Sequence, residues 1–345
     1  MNILDCKAVG PAMIASALLL AGCGGSASDS DPVGDSPVGD SMGTLNLNVS
    51  DSPIKDAAKV CIKFDGVELK MAGDSPSFNI EFDEPVVINL LANQGAVSET
   101  LVSAEVEAGT YQWIRLMVDA VSGSGAGNSD PDPTDPVCND TENGSYLVTD
   151  GSAVYNLWVP SGDQTGLKLI KDIVVPANSS GDYTAEWDLG MSFVAPPGQG
   201  TGEAIMRPVV KLVANDEVGT LSGTVTDDFF VVPDGEDTAT CPADSEFAPM
   251  VYVFEDDGNA EIAVDSDGAD GTRDPVASGL VTQDMDSVDM PYVYEIGFLT
   301  AGDYEVAFSC DDRDTFIPET GTPATIEVDT ITEVDIAPDD PPILS

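Results

Sequence analysis

No histidine occurs anywhere in the 345 residues, and only 12 lysines and arginines stand against 62 aspartates and glutamates. Without histidine the commonest general base is gone, and with it Ser-His-Asp and Cys-His nucleophile activation. No Gly-x-Ser-x-Gly elbow joins a strand to a helix, and there is no P-loop and no Gly-x-Gly-x-x-Gly opening a helix. Cys-x-x-Cys pairs are missing too, so the six cysteines lack the spacing of a zinc site. The scarcity of positive charge leaves a formal net charge of −50, a field that repels a nucleic-acid duplex or an anionic lipid surface. Nucleic acid is therefore not an expected partner. The acidity has two readings: adaptation to a salty habitat, where screening makes self-repulsion tolerable, or binding of divalent cations.

Hydrophobic residues make up 42% of the chain, enough for packed cores, and the length accommodates two ordinary domains. The first 22 residues stand apart from those domains. Lys7 gives a weakly basic start diluted by Asp5, and Ala8 to Leu20 forms an apolar run too short to span a bilayer. Leu20-Ala21-Gly22-Cys23 follows. It resembles the bacterial lipobox, which implies a signal peptide over residues 1–22 and acylation of Cys23. Gly24 is not the aspartate associated with retention at the inner membrane, so the resemblance points to an outer-membrane lipoprotein of the cell envelope. The membrane is then a partner through the lipid anchor, and two or three acyl chains hold far more firmly than one. Residues 23–42 read as a lipidated flexible tether. They are rich in Ser, Asp, Gly and Pro and contain the near-repeat Asp31-Pro-Val-Gly-Asp35, Ser36-Pro-Val-Gly-Asp40.

Setting aside Cys6 and Cys23, four cysteines remain: Cys61, Cys138, Cys241 and Cys310. An even number in an exported chain predicts disulfides. Three pairings are possible, and a split into two domains favours Cys61–Cys138 with Cys241–Cys310. Each closes a loop of about 70–80 residues, worth roughly 4 kcal/mol in the chain-entropy model.

Alternating apolar residues predict an all-β fold: two β-sandwich or Greek-key domains in tandem after the disordered tether. Leu45, Leu47 and Val49 alternate with polar neighbours, as do Ile62 and Phe64, and Phe78, Ile80 and Phe82, each set expected to face a core. More continuous runs at 111–118, 153–159 and 205–213 read as central strands, and Val86–Leu91 or the stretch after it has room for one short helix. The first domain is expected over 43–215. Its motifs, Gly43-Thr-Leu-Asn-Leu-Asn-Val-Ser-Asp51-Ser-Pro53, Phe64-Asp-Gly-Val-Glu-Leu69, Gly109-Thr-Tyr-Gln-Trp-Ile-Arg-Leu116, Val159-Pro-Ser-Gly162, Gly166-Leu-Lys-Leu169 and Arg207-Pro208, resemble in order the bacterial family called domain of unknown function 4382. That resemblance implies an exported β-rich domain with no established activity and carries over no functional residue. The second domain is expected over 216–340. There Phe298-Leu-Thr-Ala-Gly-Asp-Tyr304 between two strands resembles the transthyretin-like or carboxypeptidase-regulatory-like sandwich, a fold with some carbohydrate-binding members.

The functional candidates are few. Asp265, Asp267, Asp270 and Asp274, spaced by glycines, form an oxygen-ligand pattern for Ca²⁺, the one cofactor implied. The pattern departs from an EF-hand loop, because Ala269 takes a ligand position and Val276 stands where the closing glutamate belongs. Against it stands a plain solvated loop, which is also the reading of Asp130 to Pro136 and of Gly198-Gln-Gly200-Thr-Gly202. Trp113, Trp158 and Trp187 are candidates for a sugar-stacking platform if two are exposed on one face, and core residues otherwise. The expected role is a non-enzymatic binding or structural one with an unknown protein or glycan partner. The alternatives are a carbohydrate-recognition accessory module and a carboxylate-based enzyme.

Overall fold

The computed structural model describes residues 41–52, 54, 56–120, 132, 134–138, 144–160, 162–193, 203–230, 241, 248–256, 275–310 and 321–337. Cys23, the leader, the tether as far as Asp40, Asp130, Gly198–Gly202 and the four aspartates Asp265, Asp267, Asp270 and Asp274 lie outside the described residues, while Met42, the last residue expected in the tether, already opens the first strand.

The fold is all-β and builds two sandwiches. The first contains β1 (Met42–Ser52), β2 (Ala57–Met71), β3 (Ser77–Asn89), β4 (Glu99–Glu107), β5 (Gly109–Val118), β6 (Tyr146–Thr149), β7 (Val154–Trp158), β8 (Leu167–Val175), β9 (Ser180–Asp188), β10 (Glu203–Ile205) and β11 (Val209–Ala214). One sheet runs β11-β9-β1-β4. The other runs β10-β7-β6-β2-β5-β8, with β3 pairing β2 as well. The alternation read from the sequence is carried out in β1: Leu45, Leu47 and Val49 are fully buried. They meet Leu69, Ile114, Leu116 and Trp187 in one core. Burial of such residues at roughly 25 cal/mol per Å² of apolar surface is the main force joining the two sheets.

The expectation for β3 holds only in part. Phe78, Ile80 and Phe82 do alternate, but Phe78 is 37% exposed, and full burial begins only at Ile88 and Asn89. Phe78 stacks edge-on at 6.0 Å against the buried Tyr111 instead of entering the core. The stretch after Val86 contains one 3-10 turn, Leu90–Ala92, after the strand has run to Asn89.

The second sandwich contains β12 (Val218–Val225), β13 (Met250–Glu255), β14 (Ala277–Leu280), β15 (Thr282–Gln283), β16 (Tyr292–Thr300), β17 (Gly302–Ser309), β18 (Thr322–Ile326) and β19 (Ile331–Glu333). Its sheets, β15-β16-β12-β19 and β14-β13-β17-β18, enclose a separate core of Leu221, Val251, Val253, Ile296, Val306 and Phe308. Strands β14 and β15 are separated only by Val281 yet belong to different sheets, so this segment crosses from one layer to the other.

Each sandwich is closed by one disulfide in the expected pairing. Cys61–Cys138 has its Cα atoms 5.9 Å apart, and Cys241–Cys310 has them 5.2 Å apart. Each also contains an Ala-Gly-x-Tyr turn of the same build. Tyr111 donates its hydroxyl to the Glu107 carbonyl at 2.6 Å, and Tyr304 donates to the Thr300 carbonyl at 2.6 Å, each four residues back. The ring thereby staples the end of one strand to the start of the next, in the manner of the tyrosine corner of β-sandwiches.

Candidate functional site: the seam between the sandwiches

The two sandwiches meet backbone to backbone. The Ala96 amide donates to Glu295 Oε1 at 2.9 Å, which ties the loop before β4 to β16. Gly297 makes this approach feasible, since a Cβ there would lie 2.4 Å from the Gly95 carbonyl oxygen and 2.6 Å from the Ala96 Cα. Gly95 itself adopts φ +65°, the left-handed region that glycine enters without penalty. Beside this contact lies a cavity of about 600 Å³ lined by Gln94, Ser222, Thr224, Glu295, Glu333 and Asp335 among others. Asp335 Oδ1 is taken up by the Thr224 amide at 2.9 Å and its hydroxyl at 2.8 Å, which fixes β12 to the segment after β19.

A second cavity, of about 430 Å³, lies along the same seam, where Glu186 and Lys211 of the first sandwich face Glu255, Asp256, Asp303 and Tyr304 of the second. Lys211 crosses the gap and donates its ammonium to the Val276 carbonyl. Burial pushes the Glu186 carboxyl up to about 8; Lys211 pulls against this rise and Asp188 adds to it. Burial likewise raises Asp188, although the Met191 amide donates to its Oδ1 at 2.9 Å and caps the turn Leu189–Ser192.

Asp51 is the most unusual group. It is 2% exposed, and neither carboxylate oxygen makes a hydrogen bond of full geometry, although the backbone amides of Leu189 and Ser52 lie near enough to oppose the rise in its pKa. Its neighbour across the β1–β9 register is Trp187, fully buried, whose indole N–H also lacks an acceptor. Burial holds Asp51 well above the ordinary carboxylate range, and Asp188 pushes the same way. A neutral acid is the form such a site favours.

The remaining sequence candidates separate. The three tryptophans do not form a platform. Trp187 is in the core, and Trp113 registers with Lys70 near the end of β2. Trp158 follows Asn156, which registers through Tyr146 with Cys61 near the start of β2. Register therefore puts Trp113 and Trp158 at opposite ends of the sheet. The described part of the acidic stretch before Cys138 is largely exposed, as expected of a solvated loop, and its end is pinned. Asn89 Nδ2 donates to the Pro136 carbonyl at 2.9 Å and the buried Lys59 ammonium to the Val137 carbonyl at 3.1 Å, beside the disulfide. Among the described residues no group of three or more Cys, Asp or Glu is placed to hold a metal ion. No helix among them is long and apolar enough to cross a membrane.

The acid–lysine cluster of Asp51, Glu186, Asp188 and Lys211 was not among the sequence candidates. Its trace there is slight, because Glu186 and Asp188 alternate with the buried Trp187 and Lys211 takes an exposed position of its strand, as in any half-buried strand.

Fold and seam together define a disulfide-stapled double β-sandwich protein. Residues 42–208, the first sandwich up to the approach to β11, match the family model described as a domain of unknown function, DUF4382. This bears out the resemblance carried by the motifs from Gly43 to Pro208. No curated protein matches the chain. Among solved structures, a leucine-rich repeat protein from Bacteroides thetaiotaomicron shares 12% identity over 88% of this chain and 26% of its own, with a TM-score of 0.20. The minor pilin GBS52 of Streptococcus agalactiae shares 12% over 87% of this chain and 99% of its own, with a TM-score of 0.18. A candidate adhesin from Bacteroides ovatus shares 9% over 95% and 98%, with a TM-score of 0.20. The present chain thus spans about a quarter of the leucine-rich repeat protein, and scores this low carry no argument about its role.

Proposed function

We propose that this protein is an exported lipoprotein with a non-enzymatic binding or structural role, held to the outer membrane through Cys23. The observation that carries the reading is the use of the cysteines. Four of the six are consumed as two disulfides, one per sandwich, which is the state of an oxidising compartment. Behind Leu20-Ala21-Gly22, Cys23 is left as the cysteine that follows an apolar leader. The non-enzymatic part is supported by the histidine-free sequence and by how the buried acids are used: Asp188 caps a turn, and Glu186 faces the lysine that spans the seam. On this reading the seam makes one stiff ectodomain of two sandwiches, suited to presenting a surface at a distance from the lipid. Mass spectrometry of the native protein tests the anchor: an N-terminus at Cys23 carrying acyl chains is expected, and an intact Met1 with an unmodified Cys23 thiol would refute it.

A further inference from the structure

Among the described residues, the acidic field holds a patch of different character. On the outer face of β5 and β8, the Arg115 guanidinium carbon lies 4.9 Å and the Lys168 ammonium 4.6 Å from the centroid of the Trp113 ring. Ile170, which registers with Trp113, is 78% exposed, and Val174, on the same face, is 52% exposed, with the exposed Asp172 between them. Arg115 pairs with Glu68, whereas Lys168 makes no ion pair among the described residues. An aromatic ring, two projecting aliphatic side chains and cations on long stems form the composition of a lipid–water interface. There apolar parts enter the acyl boundary and ammonium groups meet phosphate oxygens.

Chain connectivity puts a membrane that holds Cys23 within reach of this face. The Ala108 amide donates to the Ser41 carbonyl at 2.7 Å, so the chain enters the fold at the rim from which β5 departs. Trp113 is five residues beyond Ala108, roughly 17 Å along the strand. Only seventeen residues separate Cys23 from Ser41, a span of at most about 60 Å even fully extended. A membrane that holds Cys23 is therefore always within reach of the Trp113 face. The described lysines and arginines all precede Val218, so the second sandwich offers lipid phosphates no described cation.

We infer that the Trp113–Lys168–Ile170 face docks on a zwitterionic phospholipid surface, which lays the first sandwich against the membrane and turns the second outward. A surface without net charge escapes the repulsion that the −50 charge imposes on anionic lipid. The inference deepens the lipid-anchor reading and rests on it for the membrane's proximity, but the docking face can be tested without the anchor. The chain from residue 23 onward carrying Cys23→Ser is mixed with phosphatidylethanolamine–phosphatidylcholine vesicles and sedimented. It is expected to partition onto the vesicles, and Lys168→Glu with Ile170→Asp is expected to weaken that partition at least tenfold while circular dichroism stays unchanged. A protein left in the supernatant at millimolar lipid overturns the docking face, as does equal partition of the double variant. Retention on an immobilised anionic glycan without vesicle binding overturns it too and reassigns the patch to a glycan. None of these results bears on whether native Cys23 is acylated, so failure of the face and failure of the anchor are read separately.

Discussion

Substituting Glu186→Gln removes the one seam carboxylate that burial pushes up to about 8 from an ordinary value of 4.5. Between those values the folded protein holds a proton that the unfolded chain has released, so stability falls as pH rises across the window. At ~1.36 kcal/mol for each pH unit of separation the ceiling is about 5 kcal/mol. Glu186 lines an opening wide enough for water and keeps part of its surface there, so partial solvation reduces the expected cost to about 2–3 kcal/mol at pH 8. The glutamine cannot ionise and should recover that amount at pH 8 while changing little at pH 5. Denaturant titration followed by tryptophan emission is a suitable assay, because Trp113, Trp158 and Trp187 all belong to the first sandwich and report its unfolding alone. Salt must be fixed, since the acidic surface makes every electrostatic contribution depend on it. If Glu186→Gln shifts stability equally at pH 5 and pH 8, the carboxylate is not held protonated, and the account of the seam acids as raised by burial fails.

Three further outcomes follow from the same geometry. Replacing Cys241 and Cys310 by serine opens a loop of 69 residues and should cost the second sandwich about 4 kcal/mol, read by calorimetry as a lowered upper or lower transition with the tryptophan-reported one unmoved. Gly297→Ala forces a methyl group against the Gly95 carbonyl and should cost about 1–3 kcal/mol, with faster hydrogen exchange at Gln94 to Val97; unchanged exchange there would show that the seam is not set by this contact. Excess Ca²⁺ should raise the melting temperature if Asp265, Asp267, Asp270 and Asp274 wrap the ion, by about 2.7 kcal/mol of stabilisation at a hundredfold excess over Kd, and an unmoved transition removes the calcium reading.

Much of the architecture is legible in the residues because it follows from periods that sequence displays directly. The alternation of Leu45, Leu47 and Val49 is the pleat of β1, and the spacing of four cysteines agrees with the two loops they close. The Ala-Gly-x-Tyr turns at Tyr111 and Tyr304 could have been recognised as one device used twice, since both place a hydroxyl within reach of a carbonyl four residues back. Phe78 shows where alternation misleads: it fixes which side chains share a face but not what covers that face, and the first residues of β3 are exposed.

The seam was illegible for a different reason. Asp51 and Asp188 are 137 positions apart, and Lys211 meets Val276 across a sandwich boundary, so no local pattern can bring them together. What sequence does offer is the anomaly itself, a carboxylate where the period of β1 demands an apolar side chain. Position 51 continues the series 45, 47, 49 and is buried like them, yet it carries an acid without a hydrogen bond of full geometry. An unpaired acid in a core costs free energy that a leucine would not, and one held neutral loses that tolerance as soon as it ionises. Burial raises the carboxyls of Asp51, Glu186 and Asp188 alike, and Lys211, which opposes that rise in the last two, is also a side chain that reaches the second sandwich. Lys211 therefore both eases the ionisation of Glu186 and Asp188 and donates to the Val276 carbonyl of the second sandwich.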